Sequence, residues 1–237
     1  MFYRFVKRGF DLFNSALALV VLSPVFLIVC VGIKISSKGP VFYKSERIGQ
    51  NGKPFTMLKF RSMHIKEKET KESQYLVNSS RIFKFGSFIR KSKLDELPQL
   101  INVLKADMSV VGPRPYPKSV VVRIYTGEYS KVLNVKPGLS CYDSLFDYAH
   151  GELFVTDEKK YAEEVLPIRT ELAKVYVDKK SIGTDIYIIL RTIGLIFDII
   201  VRRKTEFKYD KTERETIAAF NKKQISEVLS SGSTRMV

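Results

Sequence analysis

The chain has 237 residues, of which 45% are apolar, and its formal net charge is +15. That length permits one domain with a sizeable core, and the charge requires an anionic partner such as nucleic acid, an acidic membrane surface or a phosphorylated substrate. Two cysteines (Cys30, Cys141) and two histidines (His64, His150) exclude a disulfide framework, argue against a histidine-rich zinc site and are typical of a protein facing the cytosol.

The first predicted element is an apolar run from Leu12 to Ile35, which carries no charge between Asp11 and Lys34. A straight helix of this length would cross a hydrocarbon core of ~30 Å at about 1.5 Å per residue. Ser23 and Pro24 interrupt the run at its middle, where a proline removes a backbone hydrogen bond and bends the helix. Each arm alone would reach about half the bilayer depth.

The charges on either side of this run bear on its topology. A spanning helix would place one of two basic clusters outside, against the positive-inside tendency. A re-entrant helix-break-helix keeps both ends on the cytoplasmic face, and Ser23 would bond a carbonyl freed at the break. An ordinary kinked spanning helix is the alternative, because prolines occur in spanning helices. The two clusters are Arg4, Lys7 and Arg8 before the run, and Lys34, Lys38, Lys44 and Arg47 at or after its end.

A β-hairpin follows. Val41–Ile48 and Pro54–Arg61 read as strands, and Gly49–Lys53 between them contains an Asn-Gly turn signal. Alternation along the second strand puts Lys59 and Arg61 on one side. That side is either a solvated face or the basic border of a site.

The next two segments are polar or basic. Ile65–Ser79 is predicted to be a surface loop or an exposed helix, because it is charge-rich without periodicity. Arg81–Lys91 is basic and amphipathic, which suits a segment resting on an anionic bilayer or feeding a phosphate site. An ordinary helix with solvated lysines fits that segment equally well.

Two adjacent carboxylates, Asp95 and Glu96, lie just before Pro98. A proline is tolerated in a helix only within its first turn, so the pair is predicted at a helix start, where the dipole favours negative charge. A helix start also binds phosphate readily, and one spot could hold carboxylates, a metal and a phosphorylated ligand. The alternative is a capping box made by Ser92 and Asp95, with Glu96 facing water.

The acidic pair leads into a predicted helix from Leu97 to Leu104. Val110–Pro115 is predicted to be an extended or turning loop, because residues before proline leave the α region. Prolines on both sides of Arg114 stiffen it, and its planar guanidinium suits a diphosphate. A second rigid loop is predicted at Lys136–Ser140.

The C-terminal part reads as helical. Helix is predicted over Tyr161–Ile189, and Asp185–Val201 is apolar with three charges, which would make a second spanning helix expensive. An interfacial amphipathic helix ending in Arg202–Lys204 is favoured. After Thr205 the chain turns polar, and Glu213–Leu229 is predicted to be a helix without an assigned function.

The run Arg90–Leu104, followed by Asp107–Pro115, closely resembles the bacterial sugar transferase family, the monotopic polyprenol-phosphate phosphoglycosyl transferases. Lys59–Met63 and Lys7–Asp11 share the likeness, which extends from Lys7 to Thr192. We therefore expect an α+β, mostly helical fold. Its expected parts are a re-entrant membrane helix over residues 1–38, a catalytic domain with a small hairpin and interfacial amphipathic helices over 39–204, and a polar tail over 205–237.

The resemblance implies transfer of a sugar-1-phosphate from a UDP-sugar to undecaprenyl phosphate at the cytoplasmic face of the bacterial inner membrane. UMP is released, and the product initiates assembly of a glycan such as capsule, exopolysaccharide, O-antigen or glycoprotein. Asp95 is expected to form an aspartyl-phosphosugar intermediate. Glu96 is expected to help hold Mg²⁺ with Asp95 or to receive the acceptor's proton. The alternative is an inactive membrane-anchored scaffold, and a homodimer is left open.

The predicted substrate-binding residues are Lys59, Arg61, Arg90, Pro113 and Arg114. A nucleic-acid partner is not expected, because the aromatic residues are mostly embedded in apolar periodic runs where they cannot stack on bases.

Three features depart from the family pattern. Ala106 stands where a glycine is usual, and Lys93 where a small or hydroxylated residue is expected. Leu139–Asp143 replaces the common Ile-Thr-Gly-aromatic continuation, which leaves the identity of the sugar donor undetermined.

Overall fold

The computed structural model describes residues 2–65, 81–154, 158–198, 201 and 208–232. The helices are α1 Phe2–Val21, α2 Ser23–Ser36, α3 Lys84–Lys91, α4 Gln99–Leu104, α5 Lys118–Ile124, α6 Tyr142–Phe154, α7 Glu158–Lys160, α8 Leu166–Lys179, α9 Ile182–Phe197 and α10 Lys211–Gly232. The strands are β1 Phe42–Ile48, β2 Pro54–Phe60, β3 Ser109–Val111 and β4 Gly138–Ser140. A mostly helical fold with a small hairpin is confirmed. The segment predicted as loop or exposed helix after Ile65 lies outside the described residues.

The N-terminal apolar run is broken where the sequence predicts. The axes of α1 and α2 differ by 61°. Pro24 has no N–H to offer the carbonyl of Val20, and the Ser23 hydroxyl donates to that oxygen instead at 2.7 Å. Within the described ranges no single helix is long and apolar enough to cross a membrane, whereas this bent pair meets the length and composition when its two helices are taken together.

The start of α1 is fixed to the rest of the fold by polar contacts. The Lys7 ammonium lies 2.8 Å from a carboxylate oxygen of Asp185, which is fully buried. Asp11, also buried, accepts hydrogen bonds from the Ser109 hydroxyl at 2.8 Å and from the Val110 N–H at 3.1 Å. Burying an unpaired carboxylate costs free energy, so moving α1 away from β3 and α9 would be costly because it would break these bonds.

The predicted β-hairpin is present. β1 and β2 pair antiparallel with Phe42 opposite Phe60 and Ile48 opposite Pro54. In the connection, Asn51 and Gly52 adopt positive φ values of 58° and 74°, a conformation that these two residue types tolerate best. The Asn-Gly signal therefore marks the turn correctly.

β3 and β4 form a short parallel pair in segments that the sequence predicted as loops. Gly112 and Gly138 allow the pairing, since a Cβ on either would collide with the backbone on the other side. The N–H of Gly138 also donates to the carbonyl of Pro113 at 3.0 Å. The loop carrying Arg114 is thereby held against β4.

Two hydrophobic cores anchor the elements around the acidic pair. The larger one contains the fully buried side chains of Leu145, Leu172 and Ile188 from α6, α8 and α9. A smaller core joins α2, β2 and α3, and the residues on either side of the pair, Leu94 and Leu97, pack against it. Asp95 and Glu96 are thus carried by a turn whose apolar neighbours are anchored.

The C-terminal part is helical as predicted, but the helix predicted over Tyr161–Ile189 is interrupted at Lys180 and Ser181, between α8 and α9. α9 presents an exposed apolar face made by Ile186, Leu190, Ile193 and Phe197, while Arg202–Lys204 lies outside the described residues. The helix predicted over Glu213–Leu229 is confirmed as part of α10. Arg191 of α9 donates to the buried Glu213 carboxylate at 2.6 Å and so ties α10 to the body.

Candidate active site

The acidic pair lies in a single 3₁₀ turn, Leu94–Glu96, just before α4. Ser92 and Lys93 separate the turn from α3, and Lys93 has a left-handed φ of 58°. The Ser92 hydroxyl donates back to the Phe88 carbonyl at 2.8 Å, so it closes the C-terminus of α3. The alternative of a capping box between Ser92 and Asp95 is therefore wrong, whereas the prediction that the pair lies just before a helix is confirmed.

Glu96 is the most heavily bonded side chain of the site. Its Oε1 accepts from the Lys59 ammonium at 2.8 Å and from the Arg114 guanidinium at 3.3 Å, and its Oε2 accepts from the Tyr148 hydroxyl at 3.0 Å. These donors come from β2, from the loop after β3 and from α6. Glu96 is therefore the point where three distant segments meet.

The pKa values of the two carboxylates are shifted in opposite directions. Burial alone would raise the pKa of Glu96, but the positive charges of Lys59, Arg114 and Lys93 outweigh it and hold that pKa well below its usual range. Asp95 is also buried and accepts no hydrogen bond within the described part of the chain. Its pKa is raised by burial against the opposing charge of Lys59. Neighbouring carboxylates whose pKa values are pushed apart usually perform different chemical tasks.

Of the other predicted binding residues, Arg90 lies near the acidic pair and Arg61 does not. The Arg90 guanidinium lies near Asp95, where its charge opposes the rise in that residue's pKa, and it donates weakly to the Ser62 hydroxyl at 3.4 Å. Arg61 is buried and turned away, and its guanidinium donates to the Pro40 carbonyl at 2.6 Å and to the Ser37 hydroxyl at 2.7 Å. Arg61 therefore fixes the end of α2, and the structure does not bring it together with Lys59.

A buried ionic network on α6 and α8 holds the backbone of Arg114 in place. The backbone N–H of Arg114 donates to Asp143 at 3.3 Å. Arg169, which is 2% exposed, lies 3.6 Å from the same Asp143 carboxylate oxygen and 3.0 Å from Asp147. Both aspartates lie on α6, one turn from each other, and Tyr148 follows directly. α6 thus positions Arg114 through its first turn and Glu96 through Tyr148.

Sequence reasoning missed the contribution of α6. The available signal was the spacing of Asp143 and Asp147, which places two carboxylates on one helix face. Using it requires a predicted helix at that position and a partner such as Arg169, which is more than twenty residues away. Neither follows from the local pattern.

Lys93 adds a further cation. Its ammonium lies 4.0 Å from the centroid of the Tyr148 ring. Burial lowers its pKa, with Glu96 opposing the shift. Lys59, Arg90, Lys93 and Arg114 consequently surround two carboxylates. Such an excess of positive charge suits a ligand with several negative charges, such as a diphosphate.

The carboxylates offer limited capacity for a metal. Among the described residues, no group of three or more His, Cys, Asp and Glu side chains could hold a metal ion. Both oxygens of Glu96 are engaged, and Asp95 is the carboxylate without a hydrogen bond. Because Mg²⁺ is commonly bound by one or two carboxylates together with substrate phosphates, these residues fit an ion that shares the ligand's oxygens.

Most of the chain is similar to known proteins. A family model described as "Bacterial sugar transferase" matches residues 2–198. The chain is 34% identical over 197 residues to the UDP-glucose:undecaprenyl-phosphate glucose-1-phosphate transferase of Escherichia coli (strain K12), a match covering 80% of this chain and 40% of that protein. It is 37% identical over 190 residues to the protein of the same name from Xanthomonas campestris pv. campestris, covering 77% and 37%.

A third relative has a length closer to that of this chain. The exopolysaccharide production protein ExoY of Rhizobium meliloti (strain 1021) is 33% identical over 205 residues, which are 80% of this chain and 84% of that protein. By contrast, the chain spans less than half the length of the two glucose-1-phosphate transferases.

Proposed function

The chain belongs to the bacterial sugar transferase family, and we propose that it transfers a sugar-1-phosphate from a UDP-sugar to undecaprenyl phosphate, releasing UMP. Relatives named for this type of reaction support the proposal. The observation that carries it is the contrast between the two neighbouring carboxylates: Glu96 is held by three donors, whereas Asp95 accepts none in the described structure and its pKa is raised by burial.

In the first step Asp95 is the nucleophile. One of its carboxylate oxygens attacks the β-phosphorus of the UDP-sugar and forms an acyl phosphate. The bond from that phosphorus to the bridging oxygen breaks, and UMP leaves with the electron pair. A buried carboxylate without hydrogen-bond donors is poorly solvated, which favours attack. The cations around it reduce repulsion by the phosphate oxygens.

In the second step an oxygen of undecaprenyl phosphate attacks the same phosphorus. The acyl phosphate bond breaks and the Asp95 carboxylate is restored, while the lipid now carries a diphosphate-linked sugar. Glu96 is a poor proton acceptor, because its pKa lies well below the usual range. Glu96 Oε1 lies 2.8 Å from the Lys59 ammonium and 3.3 Å from the Arg114 guanidinium. The role of Glu96 is to keep these two cations beside the reacting phosphate.

Mg²⁺ belongs to the proposal as the cofactor. Asp95 would hold it together with ligand phosphate oxygens, and Glu96 would join if one of its cations moved to the ligand. When bound, the ion supplies charge neutralisation at the phosphate oxygens.

We also infer that α1 and α2 form a re-entrant hairpin at the cytoplasmic face of the bacterial inner membrane. Both ends of the pair contact the same body: Lys7 near the start of α1 binds Asp185, and Ser37 just after α2 accepts from Arg61. A spanning helix would put these ends on opposite sides of the membrane.

Cysteines introduced at Arg4 and Lys38, with Cys30 and Cys141 replaced by serine, should react with a membrane-impermeant reagent from the cytoplasmic side alone. Labelling of the two positions from opposite sides would refute the hairpin.

The experiment that tests the proposed reaction is a panel of UDP-sugars with undecaprenyl phosphate, scored by UMP release from the purified chain in detergent. We expect at least one donor to turn over, with Asp95→Asn and Glu96→Gln each abolishing the release while expression persists. Turnover unaffected by either substitution would refute the residue assignment. Donor binding without turnover in the unmodified chain would instead indicate a scaffold.

A further inference from the structure

Lys93 occupies a backbone position that does not favour a lysine. It follows the end of α3 with φ 58° and ψ 12°, and its N–H bonds the carbonyl of Arg90 at 3.1 Å. Glycine and asparagine are the usual residues in this left-handed position after a helix, because a Cβ raises its energy. A non-glycine residue at such a strained backbone position suggests that its side chain has a function.

The ammonium of Lys93 lies inside the candidate active site. It is 4.0 Å from the centroid of the Tyr148 ring, and the hydroxyl of the same ring donates to Glu96. In the described part of the chain, the Lys93 side chain forms no hydrogen bond or ion pair. The face of an aromatic ring is therefore its principal partner.

The carboxylates whose charges act on Lys93 are those of Glu96, Asp147 and Asp95, and none of them bonds its ammonium within the described residues. Glu96 is bonded to Lys59 and Arg114, and Asp147 is bonded to Arg169 at 3.0 Å. A partly desolvated ammonium gains less from a ring face than from an anion that it can bond directly. Lys93 thus has no directly bonded anionic partner among the described residues, and its ammonium is available to donate to an anionic ligand.

We propose that Lys93 is an additional phosphate-binding residue, which moves from the face of Tyr148 to donate to a phosphate oxygen of the bound ligand. The class of ligand rests on the proposed function: a nucleotide-sugar diphosphate or a lipid phosphate monoester.

The test measures binding of inorganic pyrophosphate to the full chain in detergent by titration calorimetry. We expect Lys93→Gly to bind about tenfold more weakly, as the loss of one charge-assisted hydrogen bond predicts, with an unchanged or higher melting temperature because glycine suits the left-handed backbone. Lys93→Gln, which keeps the Cβ and removes the charge, should lose the same affinity. Lys93→Arg should restore binding to within about threefold.

The matched control is Lys91→Gln, which removes an exposed lysine two positions earlier and should change pyrophosphate affinity by less than about twofold. Equal affinities for the unmodified chain, Lys93→Gly and Lys93→Gln would overturn the proposal, as would an equal loss in Lys91→Gln.

Steady-state kinetics then identify the phosphate that Lys93 contacts. A rise in KM confined to the UDP-sugar assigns Lys93 to the donor diphosphate, and a rise confined to undecaprenyl phosphate assigns it to the acceptor; either supports the proposal. Weaker pyrophosphate binding by Lys93→Gly, in a chain that releases no UMP from any UDP-sugar, would overturn the proposed function and leave the phosphate contact standing.

Discussion

Lys59 and Glu96 form a largely buried ion pair, with 2.8 Å between the ammonium and Oε1, that joins β2 to the turn before α4. The pair explains why two adjacent acidic residues can lie side by side in a buried place. Glu96 keeps its charge because Lys59 and Arg114 compensate it, while Asp95, one residue earlier, lacks any such bond in the described structure. Glu96 thus binds the cations, and Asp95 is the nucleophile of the proposed reaction.

The first prediction concerns stability. The pKa of Asp95 is raised in the folded state, so its stabilising contribution exists below the unfolded pKa and is lost as the pH rises through the folded pKa. At neutral pH the ionised group therefore destabilises the fold. We expect Asp95→Asn to raise the melting temperature, by roughly 2–4 °C for each kcal/mol gained, while turnover is lost.

Glu96→Gln should shift the melting temperature the other way. The pKa of Glu96 is lowered, so its contribution is present above the unfolded pKa and disappears as the pH falls. Removing its charge leaves Lys59 and Arg114 uncompensated in a partly buried place. Thermal unfolding of both variants at neutral pH is the measurement, and shifts of the same sign would contradict the electrostatics described for the pair.

The pH dependence of turnover provides a second prediction. Since burial raises the pKa of Asp95, protonation should remove the nucleophile at a pH above the ordinary aspartate value of about 3.9. The acid limb of kcat/KM should therefore lie above that value and fall with a slope of one proton. An acid limb at or below the ordinary value would show that the reacting group is not a buried carboxylate of raised pKa.

The third prediction tests the role of α6. Tyr148→Phe keeps the ring beneath Lys93 and removes the hydroxyl bonded to Glu96 at 3.0 Å. Loss of one such bond is worth about 1 kcal/mol, so we expect kcat to fall about five- to tenfold and the melting temperature to fall by roughly 2–4 °C. Tyr129→Phe is the matched control, because Tyr129 donates to Glu171 at 2.8 Å away from the site. A similar loss of kcat in both variants would argue against a specific role for Tyr148.

The fourth prediction concerns the buried ionic network of Arg169, Asp143 and Asp147. Arg169→Met would leave Asp143 and Asp147 buried without their main cation, and breaking a buried pair in this way costs about 3–5 kcal/mol. Denaturant unfolding should detect a loss of that size. Lys131→Met, which breaks an exposed pair with Asp178, should cost less than about 1 kcal/mol. Comparable losses would mean that the Arg169 network does not support the fold.

The elements that the sequence predicted well are those governed by local chemistry. The bend at Pro24, the Asn51–Gly52 turn and the acidic pair ahead of Pro98 each follow from the backbone preferences of one or two residues. Ala106 adopts a left-handed φ of 68°, which favours glycine, and the sequence analysis predicted no conformation at that residue.

The features that escaped prediction depend on partners distant in sequence. The spacing of Ser92 and Asp95 permits a capping box as an alternative, yet the Ser92 hydroxyl donates to a carbonyl of the preceding helix. Arg61 alternates correctly with Lys59 along the strand, but β2 ends at Phe60, and the Arg61 side chain reaches Ser37 instead. The roles of Tyr148 and Arg169 emerge only when α6 and α8 pack beside the acidic turn.

The most direct test of the central claim is to search for the covalent intermediate on Asp95. The chain is mixed with a UDP-sugar labelled at the β-phosphorus, without acceptor, and its peptides are analysed by mass spectrometry. We predict a phosphosugar adduct on the peptide containing Asp95, absent from Asp95→Asn and discharged when undecaprenyl phosphate is added. UMP release that requires the acceptor from the outset, with no label on the chain, would contradict nucleophilic attack by Asp95.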